Sequence, residues 1–148
     1  MFKRILLLVD SSEASLATTE HAIAMAKQYQ IELLALSVVD VATLRELLTY
    51  KIMVPEEMEE YERELESSAR HQLAIVEEMA RVAGVQIQTF QAKGVIHAVT
   101  VTYQKTHGAD LVVLGYYKAS QVNRDLLARE KQQILDECSC PVMIVKKR

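Results

Sequence analysis

The chain has 148 residues and 16.7 kDa, half of them apolar and 25% charged. A chain of this size buries roughly 68–70% of its unfolded surface, so one domain over 1–148 is expected and disorder or a fibrous repeat is excluded. Seventeen Lys and Arg against twenty Asp and Glu give a net charge of −3 and a pI near 5.8, which excludes a dedicated duplex-DNA binder. The early apolar run Ile5-Leu6-Leu7-Leu8-Val9 stops at Asp10, too short for a signal peptide or a transmembrane helix. A cytoplasmic protein with no membrane insertion and no nucleic-acid partner is the expectation.

In chain order, residues 5–9, 33–39, 111–114 and 142–145 are short apolar runs of the kind buried on both faces of a parallel sheet. Residues 85–91 alternate instead, as in an edge strand with one wet face, protected by Gln86, Gln88 and Gln91. Between them the periodicity predicts four helices. Ala22, Met25, Ala26 and Tyr29 mark the first, with N-cap candidates in Asp10-Ser11-Ser12. Met58, Tyr61, Leu65, Ala69, Leu73, Val76, Ala80 and Ala83 mark the second, with Pro55 at its first position. The third runs from Val95 to His107, read as the crossover that two parallel strands require. The fourth runs from about Ala119 to Glu137, with Leu127, Ile134 and Cys138 on one stripe. The βαβαβαβαβ alternation is that of a doubly wound α/β sheet with helices on both faces. Residues 41–55 are extra, a short helix packed on the domain, or a lid or partner surface at the ligand edge.

Only four glycines are present. Gly84, Gly94 and Gly108 stand where helices and turns end, which leaves Gly115, so neither a Walker loop nor a Gly-x-Gly-x-x-Gly fingerprint can be written. The two cysteines, Cys138 and Cys140, cannot fill a four-ligand zinc site or build a disulfide framework, and no metal site is assigned.

Four landmarks in order, residues 4–15, Leu36-Ser37-Val38-Val39-Asp40, residues 107–115 from His107 to Gly115, and residues 140–145 from Cys140 to Val145, resemble those of the universal stress protein family. The resemblance implies a five-stranded parallel sheet of order 3-2-1-4-5 and a homodimer. It also implies a place for ATP phosphates, at a Gly, two residues, Gly, nine residues, Gly-Ser/Thr pattern. Here Gly115 holds the first place, but Lys118, Ala128 and Arg129 hold the others. A backbone cradle needs close approach without a Cβ, so this departure argues for weak or absent ATP binding. No cofactor is assigned, with ATP or AMP the candidate ligand.

Asp10 ends the first strand at the switch point of such a sheet and is read either as a ligand contact or as a helix cap; the backbone at Val38 is placed near a base by the resemblance. Lys118, Arg124, Arg129 and Lys131, offset by Asp125 and Glu130, are either a side-chain anion site or a solvated helix face. Tyr116 and Tyr117 either stack on a base or cover the core edge. The four histidines lie on three helical segments without a nucleophile at diagnostic spacing, so no catalytic residue is assigned. Cys138 and Cys140 are read as structural. The seven Glu and one Arg of residues 56–66 are a solvated face.

The functional expectation is a non-catalytic stress-response or signalling module acting through protein partners, with a nucleotide sensor using basic side chains as the alternative. The dimer is expected through Val142, Met143, Ile144 and Val145, an apolar edge closed off by Lys146, Lys147 and Arg148.

Overall fold

A computed structural model describes residues 1–146; Lys147 and Arg148 lie outside the described residues. The elements are β1 (Arg4–Leu8), α1 (Ser15–Tyr29), β2 (Glu32–Asp40), α2 (Val41–Thr49), α3 (Pro55–Ala83), β3 (Ile87–Gly94), α4 (Ile96–Thr106), β4 (Leu111–Gly115), a short 3-10 turn (Ala119–Gln121), α5 (Leu126–Glu137) and β5 (Val142–Val145). The five strands pair in parallel in the order β3-β2-β1-β4-β5, the expected order.

The unbroken apolarity of the central strands has a direct cause. Alternate residues of a strand face opposite sides, and here both sides are cores. Ile5, Leu7, Leu33, Ala35 and Val113 pack with Ala22, Ala26, Leu73 and Val76 beneath α1 and α3. Leu6, Leu8, Leu34, Leu36, Val112 and Leu114 pack with Ile134 on the other face. Each fully buried Ile, Leu or Val among them contributes about 1.5–3 kcal/mol, so a polar residue in place of one of these would weaken the layer.

Three helical expectations are corrected. In α1, Ala22 and Ala26 are buried, but Tyr29 is exposed because the helix ends there, at a left-handed Gln30. In α3, Ala69, Leu73, Val76 and Ala80 face the sheet, whereas Tyr61 is exposed, since the acidic first turns run past the end of the layer. The fourth helix is not continuous. It breaks after the 3-10 turn and restarts at Leu126, where the Asp125 carboxylate accepts the Leu127 amide at 3.1 Å. The edge strand begins two residues later than expected and continues to Gly94.

Residues 41–49 form the short helix expected of the extra segment. Asp40 caps it, accepting the amides of Ala42 at 3.1 Å and Thr43 at 3.2 Å and the Thr43 hydroxyl at 2.6 Å. The stretch that follows leaves Tyr50 and Ile52 exposed. At the opposite edge of the sheet the Asp110 carboxylate accepts the amides of Lys3 at 2.9 Å and Arg4 at 3.0 Å, tying the start of β4 to that of β1.

Candidate functional site

The carboxyl ends of β1 and β4 diverge at the point where strand order reverses, and in a doubly wound sheet that crevice is where ligands sit. Here a side chain of the protein reaches into it. Lys131, on α5, is 1% exposed and sets its ammonium 3.0 Å from Asp10 Oδ2. Asp10 Oδ1 accepts the Ser12 amide at 2.8 Å, so both oxygens have partners. Asp10 therefore braces the turn before α1 but does not cap the helix, whose N-cap is Ala14, a residue with no side chain able to do so.

Gly115 completes the packing. A Cβ at this position would lie 3.0 Å from Thr18 Oγ1, 3.1 Å from the Ala14 Cβ and 3.4 Å from Lys131 Nζ. The first glycine of the phosphate pattern thus serves close approach of α1 and of the lysine head. Ala128 is likewise buried beneath the start of α5.

The solvated-face reading of the basic cluster is corrected for two of its members. Lys118, Arg124 and Arg129 are exposed, but Lys131 and Glu130 are buried. Glu130 turns to α4, where it accepts the backbone amide of His97 at 3.3 Å and pairs with His97 Nδ1; Glu137 Oε2 stands 3.8 Å from His97 Nε2. A signal for Lys131 did exist. It stands four residues after Leu127 and three before Ile134, a gap in the apolar stripe that Leu127, Ile134 and Cys138 define.

Two cavities flank the Asp10–Lys131 pair. One, of about 230 Å³, opens over the ends of β1 and β2 and is lined by Asp10, Ser11, Val38 and Asp40, with Leu65, Ser68 and Ala69 of α3 and Leu126 and Leu127 of α5. Val9 N–H donates to the Leu36 carbonyl, so the backbone groups of Val38, two residues on, face the same side past the end of β1. Among the described residues no backbone partner meets Val38 from that side. The second cavity, of about 520 Å³, lies between Ser12 and Ala14, Tyr116 to Lys118, Ala128 and Lys131. The Ser12 hydroxyl is buried without a hydrogen-bond partner among the described residues.

The sequence-derived residues are thus divided. Asp10 and Val38 line the smaller cavity, Lys118 and Ala128 the larger, Gly115 is packed between Ala14, Thr18 and Lys131, and Arg129 lines neither. Tyr117 donates its hydroxyl to Gln132 Oε1 at 2.8 Å, and Tyr116 lies 5.3 Å beneath the Lys146 ammonium.

Cys138 and Cys140 pack on the core face that holds Ile134. Burial, and then the neighbouring Cys140, push the Cys138 thiol up to about 11, and burial followed by the Asp110 charge also raises Cys140. Only the thiolate is nucleophilic. Iodoacetamide at pH 7.5 is expected to modify Cys138 roughly a hundredfold more slowly in the native protein than in urea, because two pKa units are a factor of a hundred in thiolate. Equal rates, read by peptide mass spectrometry, would contradict the packing of Cys138 against the core.

A doubly wound parallel sheet with a crevice at the β1–β4 switch point is the class of protein that this geometry defines. A model of the universal stress protein family matches residues 1–146, and the chain belongs to that family. It is 31% identical over 149 residues to universal stress protein MJ0531 of Methanocaldococcus jannaschii, covering 99% of this chain and 84% of the relative. The solved structure of MJ0577 from the same organism superimposes with a TM-score of 0.82 at 21% identity, covering 100% of this chain and 98% of that one. A universal stress protein solved in complex with cAMP superimposes with a TM-score of 0.69 at 18% identity, covering 97% of this chain and 97% of that one. Among the described residues no helix is long and apolar enough to cross a membrane.

Proposed function

We propose that this chain is a non-catalytic, cytoplasmic stress-response or signalling module that works as a homodimer through protein partners and binds ATP weakly or not at all. The observation that carries this reading is the Asp10–Lys131 pair. It stands in the switch-point crevice, between the two cavities, with an ammonium already neutralised by a carboxylate, and the three remaining places of the phosphate pattern carry Lys118, Ala128 and Arg129. The alternative, a sensor that holds phosphates with Lys118, Arg124 or Arg129, keeps Lys118 on the larger cavity but finds Arg124 and Arg129 outside both. Freshly purified protein, denatured and analysed by mass spectrometry, is expected to release no stoichiometric adenine nucleotide; a stoichiometric one would favour the sensor.

The dimer reading rests on edge chemistry. β5 pairs with β4 on one side, and the half-buried Val142, Met143, Ile144 and Val145 leave its other side open. An unprotected apolar edge strand recruits a second copy, and antiparallel pairing of two β5 strands gives a closed, two-fold interface. Ile144→Pro removes a ladder donor and is expected to shift the mass in light scattering from dimer to monomer. A monomeric wild type at tens of micromolar would overturn the reading.

A further inference from the structure

We infer that the loop between α2 and α3, together with the first turns of α3, is a docking surface for a basic amphipathic helix of a protein partner. This rests on the reading of the chain as a module that works through protein partners, and it gives one such partner a chemistry. Tyr50, Ile52 and Val54 are 73%, 69% and 49% exposed, and Tyr61 is 43% exposed. Hydrogen bonds fix the loop that carries the first three: the Lys51 amide donates to the Leu48 carbonyl at 3.1 Å, and the amides of Ile52 and Met53 donate to the Leu47 carbonyl at 2.9 and 3.3 Å. Apolar side chains on a backbone already fixed are preorganised for a partner. The 29 residues of α3 span about 43 Å, against about 30 Å for the nine residues of β2. The apolar stripe that buries Ala69, Leu73 and Val76 therefore continues past the sheet as Leu65, Tyr61 and Met58, and none of these three is fully buried.

Charge selects the occupant. By helical period, Glu57, Glu60 and Glu64 flank one side of the overhanging stripe, and Glu62 and Glu66 flank the other. The second pair is offset by Lys93, whose ammonium stands 3.7 Å from Glu62 and 2.6 Å from Glu66. Glu57, Glu60, Glu64 and the adjoining Glu56 are exposed and form no ion pair among the described residues. Lys51 is the only cation in residues 50–58, so the apolar patch borders four unpaired carboxylates and one ammonium. A helix that lays its i, i+3, i+4 and i+7 side chains on the patch and carries Lys or Arg along its flank matches both features. A second copy of this chain does not, because a two-fold contact through the same patch sets these carboxylates against their own kind.

Two synthetic probes test this by fluorescence anisotropy against the full chain: a labelled helical peptide of Leu and Lys in amphipathic period, and the same peptide with Glu in place of Lys. The Lys peptide is expected to bind at least about tenfold more tightly than the Glu peptide at low salt, and to lose most of that advantage at high salt. Ile52→Ser with Tyr61→Ser, both at exposed positions, is expected to weaken the Lys peptide at least about tenfold with the circular dichroism spectrum retained. Glu57→Gln, Glu60→Gln and Glu64→Gln together are expected to flatten the salt dependence. Val82→Ser, at an exposed position near the other end of α3, is expected to change nothing. Amide shifts of the wild type on adding the Lys peptide are expected to cluster in residues 47–64, a reading that needs no variant to fold. Equal affinity for the two peptides, no binding at millimolar concentration, or shifts that cluster elsewhere would overturn the docking surface. None of these results touches the nucleotide and light-scattering measurements on which the module reading stands. A dimer that dissociates in the folded Ile52→Ser, Tyr61→Ser variant would make this face a contact between copies, overturning both the docking surface and the β5 edge.

Discussion

Asp10→Asn is expected to destabilise the fold by about 3–5 kcal/mol, the usual cost of leaving one partner of a buried ion pair uncompensated. In a domain of this size that corresponds to a fall in melting temperature of roughly 6–20 °C, at about 2–4 °C per kcal/mol. The reason is the burial of Lys131, whose ammonium has Asp10 as its charged partner and is shut off from water in its place beside Gly115. Lys131→Met keeps the length of the side chain and removes the charge, leaving Asp10 with a side chain only 10% exposed and its counter-ion gone. The double variant Asp10→Asn, Lys131→Met removes both charges and is expected to cost much less than the sum of the two. The difference, read from a double-mutant cycle in urea, isolates the pair. Additive effects would show that the two side chains act independently and that the crevice is not held by their attraction.

The second large effect concerns ATP. Calorimetry at physiological salt is expected to find no binding tighter than about 100 µM. A hydrogen bond from an amide or hydroxyl to a charged phosphate is worth on the order of 1.5–3 kcal/mol, and every ~1.4 kcal/mol is tenfold in affinity, so a site without its glycine cradle is weaker by tenfold or more for each such bond that cannot form. Combining Lys118→Gly, Ala128→Gly and Arg129→Ser restores backbone access around Gly115 and is expected to improve affinity at least tenfold. Arg129→Ala alone is expected to change nothing, since Arg129 is exposed and lines neither cavity. Tight binding by wild type that collapses in Arg129→Ala would establish the side-chain sensor instead. No improvement in the triple variant would make the Asp10–Lys131 pair, and not the missing glycines, the element that closes the crevice.

Much of this architecture is legible in the chain because it follows from local pattern. Ile5 to Val9 and Leu111 to Leu114 are apolar without alternation, which only a strand buried on both faces explains, and Pro55 and Gly84 bracket α3 where a helix would begin and end. The candidate site is less legible. Asp10, Val38 and Gly115 stand out by their places at strand ends, but Lys131 is hidden in a run of charges, Arg129-Glu130-Lys131, that reads as a solvated face. The α5 break at Asp125 has the same origin, since a capping aspartate inside a helical pattern looks like any other exposed acid until its carboxylate is seen on the Leu127 amide.

The strands, the crossovers and the absence of a glycine cradle can be read from the chain alone, because they are consequences of hydrophobic period and of what a Cβ excludes, whereas the strand order is implied only by the family resemblance. Three-dimensional packing was needed to show that Lys131 turns inward to Asp10, that Glu130 turns to His97, and that the candidate residues fall around two cavities. Those outcomes depend on the rotation of α5 against the sheet, which brings residues 121 positions apart to 3.0 Å. Charge is attractive at that range whatever the spacing in the chain, so periodicity carries no record of it.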